Sequence, residues 1–149
     1  MAYTLQELSD KQEIQELIYD YAEAIDQQDF DRLDGLFTSD AFIDYTAMGG
    51  ISGDFAEIKD FLKKALPSFS NYYHLNANMR IHLDGDNASG RVMCFNPMTI
   101  SIAEDKSQTM FLGLFYLDEY RRTETGWRFS RRVEESSWNH NLPDFMSLG

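Results

Sequence analysis

The spacing of apolar positions changes once along the chain, near residue 70. Before that point Ile14, Leu17, Ile18, Tyr21, Ala22 and Ile25 recur at helical intervals, while Glu13, Glu16, Asp20 and Glu23 take the other side. This predicts an amphipathic helix, with Ser9 or Asp10 as its cap and Gln12 or Glu13 three residues further on. QQDFDRLDGLF predicts a turn and a short second helix, kept short by Gly35. AFIDYTA, with Phe42, Ile43 and Tyr45, reads as a strand, and MGGISG as a loop. A third helix, FAEIKDFLKKAL, puts Phe55, Ile58, Phe61, Leu62 and Ala65 on one face and stops before Pro67.

Beyond residue 70 the period is two. In NYYHLNANMRIHL the residues Tyr72, His74, Asn76, Asn78, Arg80 and His82 alternate with Tyr73, Leu75, Ala77, Met79, Ile81 and Leu83. That is a strand with two unlike faces. His, Asn and Arg in series suit a wet cavity better than open solvent, so this polar face is expected to line a pocket, with Asn78 and Arg80 continuing it from His74. ASGRVMCFNPMTISIA, QTMFLGLFYLDEYRR and WRFSRRVEESSW follow as long strands, joined through the turns DGDN, EDKS and TETG. Pro97 marks a bulge or an edge position. Helices first and antiparallel strands afterwards predict an α+β domain over residues 1–149, with three N-terminal helices on one face of a curved sheet.

Composition narrows the function classes. At 149 residues, 43% hydrophobic and 14% aromatic, the chain can close a core and is too apolar for disorder. A net charge of −12 argues against a nucleic-acid partner, which needs a basic footprint. Arg121, Arg122, Arg128, Arg131 and Arg132 do cluster; they read as an exposed strand pair laced with Arg–Glu pairs, with room for one buried arginine. No apolar run approaches the ~20 residues of a membrane span. The start MAYTLQELSDKQ lacks the basic and apolar regions of a signal peptide. The lone Cys94 excludes an internal disulfide and a thiolate metal site, so a reducing cytoplasm is the expected location.

Taken singly, Asp26 fits a capping or solvated helix end, His74 a structural imidazole, and Tyr45 a packing residue. Together they suggest more. A helix lying across a sheet can bring Asp26, at the edge of its apolar stripe, against His74 at the start of a strand. The carboxylate would fix the imidazole tautomer and leave the other ring nitrogen to take a proton. Histidine suits removal of a carbon-bound proton near neutral pH, and a nearby Arg or Tyr could stabilise the charge that develops. Other constellations are weak. MGGISG is not GxGxxG, no HxH or HExxH occurs, and His74 and His82 lie about 26 Å apart along a strand, too far to share a metal.

The order of AIDQQDFDRLDGLF, AFIDY, a helix, H-x-x-x-N-x-R, DGD, long strands and GWRF resembles the SnoaL-like branch of the NTF2-like superfamily, over roughly residues 10–138. Within it the likeness is to the scytalone dehydratase and hexachlorocyclohexane dehydrochlorinase families. The resemblance implies a cone-shaped α+β barrel with a deep pocket, and matches Asp26 and His74 to the catalytic Asp–His dyad of both. It matches Tyr45 in FIDYTA to a substrate-activating tyrosine, and Arg132 in WRFSRR to an arginine that assists the leaving group. Three positions depart from it: Met98 stands at a second catalytic histidine, Tyr116 near a pocket asparagine, and Tyr21 at a lysine.

The resemblance thus implies a cofactor-free lyase, with hydratase or isomerase chemistry open to the same parts and the leaving group (water, halide or none) undetermined. The alternative is a non-catalytic ligand-binding protein or structural subunit of the same fold. An expected lining of Tyr21, Tyr45, Met98, Tyr116, Phe111 or Phe115, and Trp138 suits a small cyclic or aromatic substrate. A homo-oligomer is expected, with a trimer favoured over a dimer by the resemblance. The independent motive is the apolar strand face of Leu75, Met79, Ile81, Phe115 and Trp127, because three helices cannot cover both sides of such a sheet.

Overall fold

The computed structural model describes residues 2–146. Helix α1 (Leu5–Asp26) leads through a 3-10 helix (Phe30–Gly35) into strand β1 (Phe37–Asp44) and the short β2 (Ser52–Asp54). Helix α2 (Phe55–Ala65) follows, then β3 (Phe69–Tyr72), β4 (Leu75–Asp84), β5 (Asn87–Ala103), β6 (Lys106–Thr123) and β7 (Gly126–His140). The seven strands form one sheet in the order β2-β1-β7-β6-β5-β3, with β4 also paired to β5. All pairs are antiparallel except β1 with β7. The architecture is α+β, with the helices on one face of a curved sheet. The sheet stays open, since β2 at one side and β3 with β4 at the other do not pair.

Helix α1 is capped by Thr4, well before the expected Ser9 or Asp10. The Thr4 hydroxyl accepts from the Glu7 amide at 3.1 Å, and the Glu7 carboxylate accepts from the Thr4 amide at 2.7 Å, which satisfies two otherwise orphaned donors. Asp10 is instead a buried joint between helix and sheet. It takes two hydrogen bonds from Arg122 (2.7 and 2.8 Å) and one from the Trp127 indole (3.1 Å). The Arg122 guanidinium holds the Asp10 carboxyl well below the usual carboxylate range. Arg121 pairs with Asp40 and Arg132 with Asp118, so the arginine cluster finds mostly aspartate partners rather than the expected glutamates. The core lies between α1 and the concave sheet face, around Ile14, Ile18, Ile25, Tyr21, Trp127 and Phe129.

The stretch 71–83 is two strands. Backbone pairing with β5 stops at Tyr72 and restarts at Leu75. Pro97 lies opposite this break, and its carbonyl accepts from the Tyr73 amide at 3.3 Å. Both backbone groups of a residue in an antiparallel strand point to one side, so the missing N–H of Pro97 falls where no ladder bond is required. The expected continuous polar lining also ends early. Asn78 has φ 46°, and the β4–β5 register shifts between Ala77 and Arg80. That bulge reverses the alternation. Tyr72, His74 and Asn76 turn toward the concave side, but beyond the bulge Met79, Ile81 and Leu83 do so, leaving Asn78, Arg80 and His82 exposed.

The expected oligomerisation face changes accordingly. Met79 and Ile81 pack against the core and Trp127 is fully buried. On the convex side stand Tyr73 (72% exposed), Leu75 (62%) and Trp138 (49%), with Met93, Phe95, Phe111 and Phe115. Phe95 stacks on Phe111 and on Trp138, with ring centres 6.0 and 6.1 Å away. Gly113 makes this possible, because a Cβ there would meet the Trp138 indole nitrogen at 2.1 Å. Among the described residues no helix is long and apolar enough to cross a membrane.

Candidate active site

Asp26 is the last residue of α1, and His74 sits in the break between β3 and β4. The Tyr72 hydroxyl donates to the Ile25 carbonyl at 3.0 Å, tying the end of β3 to the end of the helix. Asn96, buried in β5, donates to the Tyr73 carbonyl at 2.6 Å and holds the break from the other side. In this frame the Asp26 carboxylate grips His74 at two points. One oxygen lies 2.7 Å from the ring Nδ1, and the other accepts from the His74 backbone amide at 3.2 Å. A carboxylate at Nδ1 accepts a hydrogen bond there, so in the neutral ring the proton sits on Nδ1 and the lone pair on Nε2. Only 11% of the His74 side chain is exposed.

His74 forms part of the wall of a cavity of about 440 Å³ between α1, α2 and the concave sheet face. Tyr21, Tyr45, Met98 and Tyr116 line it as expected. Ile25, Leu62, Leu66, Met110 and Leu112 make most of the remaining wall apolar. The hydroxyls of Tyr21 and Tyr45 hydrogen-bond to each other. Burial raises the Tyr45 and Tyr116 phenols well above the usual range, so both remain neutral donors. Tyr45 is wrapped by the loop after β1, where Gly50 donates to its carbonyl at 2.9 Å. Gly50 is needed at this approach, since a Cβ would lie 2.8 Å from the Tyr45 Cβ. Cys94 is buried, and its thiol is pushed up to about 12 by that burial.

Three of the expected lining residues lie elsewhere. Phe111, Phe115 and Trp138 face away from the cavity, on the convex side, because β6 buries its even-numbered residues Met110, Leu112, Leu114 and Tyr116. Arg132 is also displaced from its expected contact with substrate. It has no exposed surface and is locked to Asp118 by bonds of 2.8 and 2.9 Å. Its guanidinium stacks on the rings of Tyr116, Phe129 and Tyr21 at 3.8, 4.3 and 4.4 Å. It stands behind the cavity wall, packed against those rings.

Two contributors were not expected. Glu134, beside Tyr116 in the β6–β7 pairing, lines the cavity, and its Oε2 is enclosed without a hydrogen-bond partner. Burial raises its carboxyl to about 8, although the neighbouring Arg132 charge works the other way. The segment after β7 returns over the cavity, where Phe145 and Met146 contribute to its mouth. Among the described residues, no group of three or more His, Cys, Asp and Glu side chains could hold a metal ion.

Comparison with known proteins agrees with this architecture. The uncharacterized protein Rv2910c of Mycobacterium tuberculosis is 52% identical over 128 residues, 86% of each chain. The crystal structure of Kfla4162 from Kribbella flavida superposes with a TM-score of 0.81 at 24% identity, over 89% of this chain and 94% of that one. A type 2 hexachlorocyclohexane dehydrochlorinase superposes with a TM-score of 0.80 at 22% identity, over 95% and 94%. At those two identities the likeness is one of fold. The SnoaL-like domain model matches residues 6–133, from the first turn of α1 into β7. The chain therefore belongs to the SnoaL-like domain family.

Proposed function

We propose that the chain is a cofactor-free lyase that removes a carbon-bound proton from a small cyclic or aromatic molecule. His74 is the base, Asp26 holds its tautomer and supports the imidazolium that forms, and Tyr45 stabilises negative charge on the substrate. The observation that carries this reading is the 2.7 Å contact of Asp26 with Nδ1 of a histidine that lines a largely apolar cavity. A base in such a setting meets little competition from water for the substrate proton. The structural kinship with a dehydrochlorinase supports elimination as the reaction class.

The probe 5-nitrobenzisoxazole tests the base directly, since loss of one carbon-bound proton opens its ring to a coloured phenolate. Wild-type protein is expected to accelerate this opening. Asp26→Asn should keep the shape but lower the rate about 100-fold, because the amide can donate to Nδ1 and favour the wrong tautomer. An unaffected Asp26→Asn rate would remove the dyad from the mechanism and leave a ligand-binding protein as the better account.

The convex face supports a second element of the proposal, a homo-oligomer, with a trimer expected. An apolar patch of this kind on one side of an antiparallel sheet marks an interaction surface. Light scattering at micromolar concentration should return about three chain masses. Leu75→Glu should shift it toward one, because it places a charge among Tyr73, Met93 and Phe95. A monomeric wild-type mass contradicts the assembly.

A further inference from the structure

We infer that the groove between Arg80 and Arg91 on the convex face receives a carboxylate of a second copy of this chain, so that copies close head to tail into a ring. The inference rests on the convex face being the contact between copies, and it names the polar anchor of that contact.

Arg80 and Arg91 stand directly opposite each other in the β4–β5 ladder. The side chains of such a pair project from the same side of the sheet, about 5 Å apart at Cβ, and like charges there repel. The bulge at Asn78 creates the pairing. With unbroken alternation Arg80 would have followed Tyr72, His74 and Asn76 to the concave side. The two arginines bound a groove of about 600 Å³, completed by Asn78, Met79, Met93 and Phe115. Their charges are unequally answered. Arg91 lies over the Phe115 ring at 3.4 Å and reaches Glu135 at 2.9 Å. Among the described residues no carboxylate pairs with Arg80. The Asn78 amide adds a further donor, and it meets only the weakly accepting Met93 thioether, at 3.8 Å. The groove thus presents two guanidinium groups and an amide, and no acidic residue lines it. The group it lacks is an anion.

A second copy supplies one. Met93 and Phe115 form part of the groove and sit beside Phe95 and Phe111 in the aromatic patch, so whatever covers the patch covers the groove as well. The chain has 25 Asp and Glu against 13 Lys and Arg, which makes another copy rich in the missing group. Covering the groove without an anion would leave the Arg80 charge desolvated and unpaired. The same requirement selects the symmetry. A two-fold contact centred on the groove would set one arginine pair against another and add repulsion. A head-to-tail contact sets the groove against a different surface of the neighbouring copy and closes as a ring. The charge pattern therefore favours a ring over a two-fold dimer without reference to any relative.

Sedimentation equilibrium of the full chain tests the anchor. Arg80→Gln should raise the concentration for half assembly by about 30-fold or more, and Arg80→Glu by more still, because one partner of a covered ion pair is lost or reversed. Thermal melting then separates a contact between copies from a role within one chain. In the Leu75→Glu background, where copies are apart, adding Arg80→Gln should leave the melting temperature unchanged or raise it slightly, since it relieves the like-charge pair. A fall of several degrees there would make Arg80 a support of its own fold and overturn the inference. An Arg80→Glu protein that assembles like the wild type overturns it too, and if Leu75→Glu still dissociates, the convex contact stands without this anchor. A wild type with the mass of a dimer overturns the ring. A monomeric wild type removes the convex contact, and this inference with it.

Discussion

His74→Ala is expected to lower the rate of elimination by about 10²- to 10⁴-fold, the range over which a positioned base contributes. No other group can replace it. Asp26 sits behind the ring, with both carboxylate oxygens engaged by His74. Tyr45 and Tyr116 are held neutral by burial and serve as donors, not bases. Glu134 carries its proton near neutral pH. The fold should survive the change. Truncation removes the ring contact with Asp26 but leaves the backbone amide bond to the other oxygen. The Asp26 side chain keeps 21% of its surface in solvent, so water can serve the freed oxygen. The cost is about 1 kcal/mol, or a few degrees in a chain of this size. Comparing rate with thermal melting decides the question: a His74→Ala protein that is fully active but melts far lower would make the imidazole a structural prop.

How much of this was legible in the sequence depends on whether a strand keeps its phase. Helices α1 and α2 and strand β5 follow the periods written in their apolar residues. The contact of Asp26 with His74 was also legible, because Asp26 ends a long periodic helix and His74 opens a polar alternation. The alternation in 71–83 itself misleads beyond Ala77. Its odd-numbered residues are apolar throughout, yet Tyr73 and Leu75 face outward while Met79, Ile81 and Leu83 face inward. Only Asn78, a residue type that tolerates positive φ, hints at the bulge between them.

Strand β7 repeats the difficulty. Trp127 and Phe129 point inward, and continuing that parity would bury Arg131 and Val133. A register shift beside Ser130 moves the inward positions to Arg132 and Glu134 instead. Glu134 was therefore hidden in a run that reads as surface charge. Strand β6 is apolar on both faces, so polarity could not choose between Phe111 and Met110 as lining. The convex aromatic cluster and the cavity wall compete for the same pattern, and only the covering helices decide which is inside.

The largest expected effect on stability belongs to Asp118. It and Arg132 are fully buried and joined by two charge-assisted hydrogen bonds, and the Tyr120 hydroxyl donates to the same carboxylate at 2.9 Å. Asp118→Ala would leave the guanidinium without a counter-charge in a place water cannot reach. Removing one partner of a buried pair costs about 3–5 kcal/mol, which corresponds to roughly 6–20 °C in a chain of this length. Replacing both, as in Asp118→Leu with Arg132→Met, removes the charges together and should recover most of that loss. Thermal melting of the two proteins separates a buried charge left unpaired from a simple loss of packing, since packing loss alone predicts that the double variant is no better than the single. Activity should follow stability here, unlike at His74. Arg132 braces Tyr21 and Tyr116 from behind, so a guanidinium that shifts toward solvent takes the cavity wall with it. An Asp118→Ala protein that melts within two degrees of wild type would mean that the arginine finds water or another partner on its own, and that the wall does not depend on the pair.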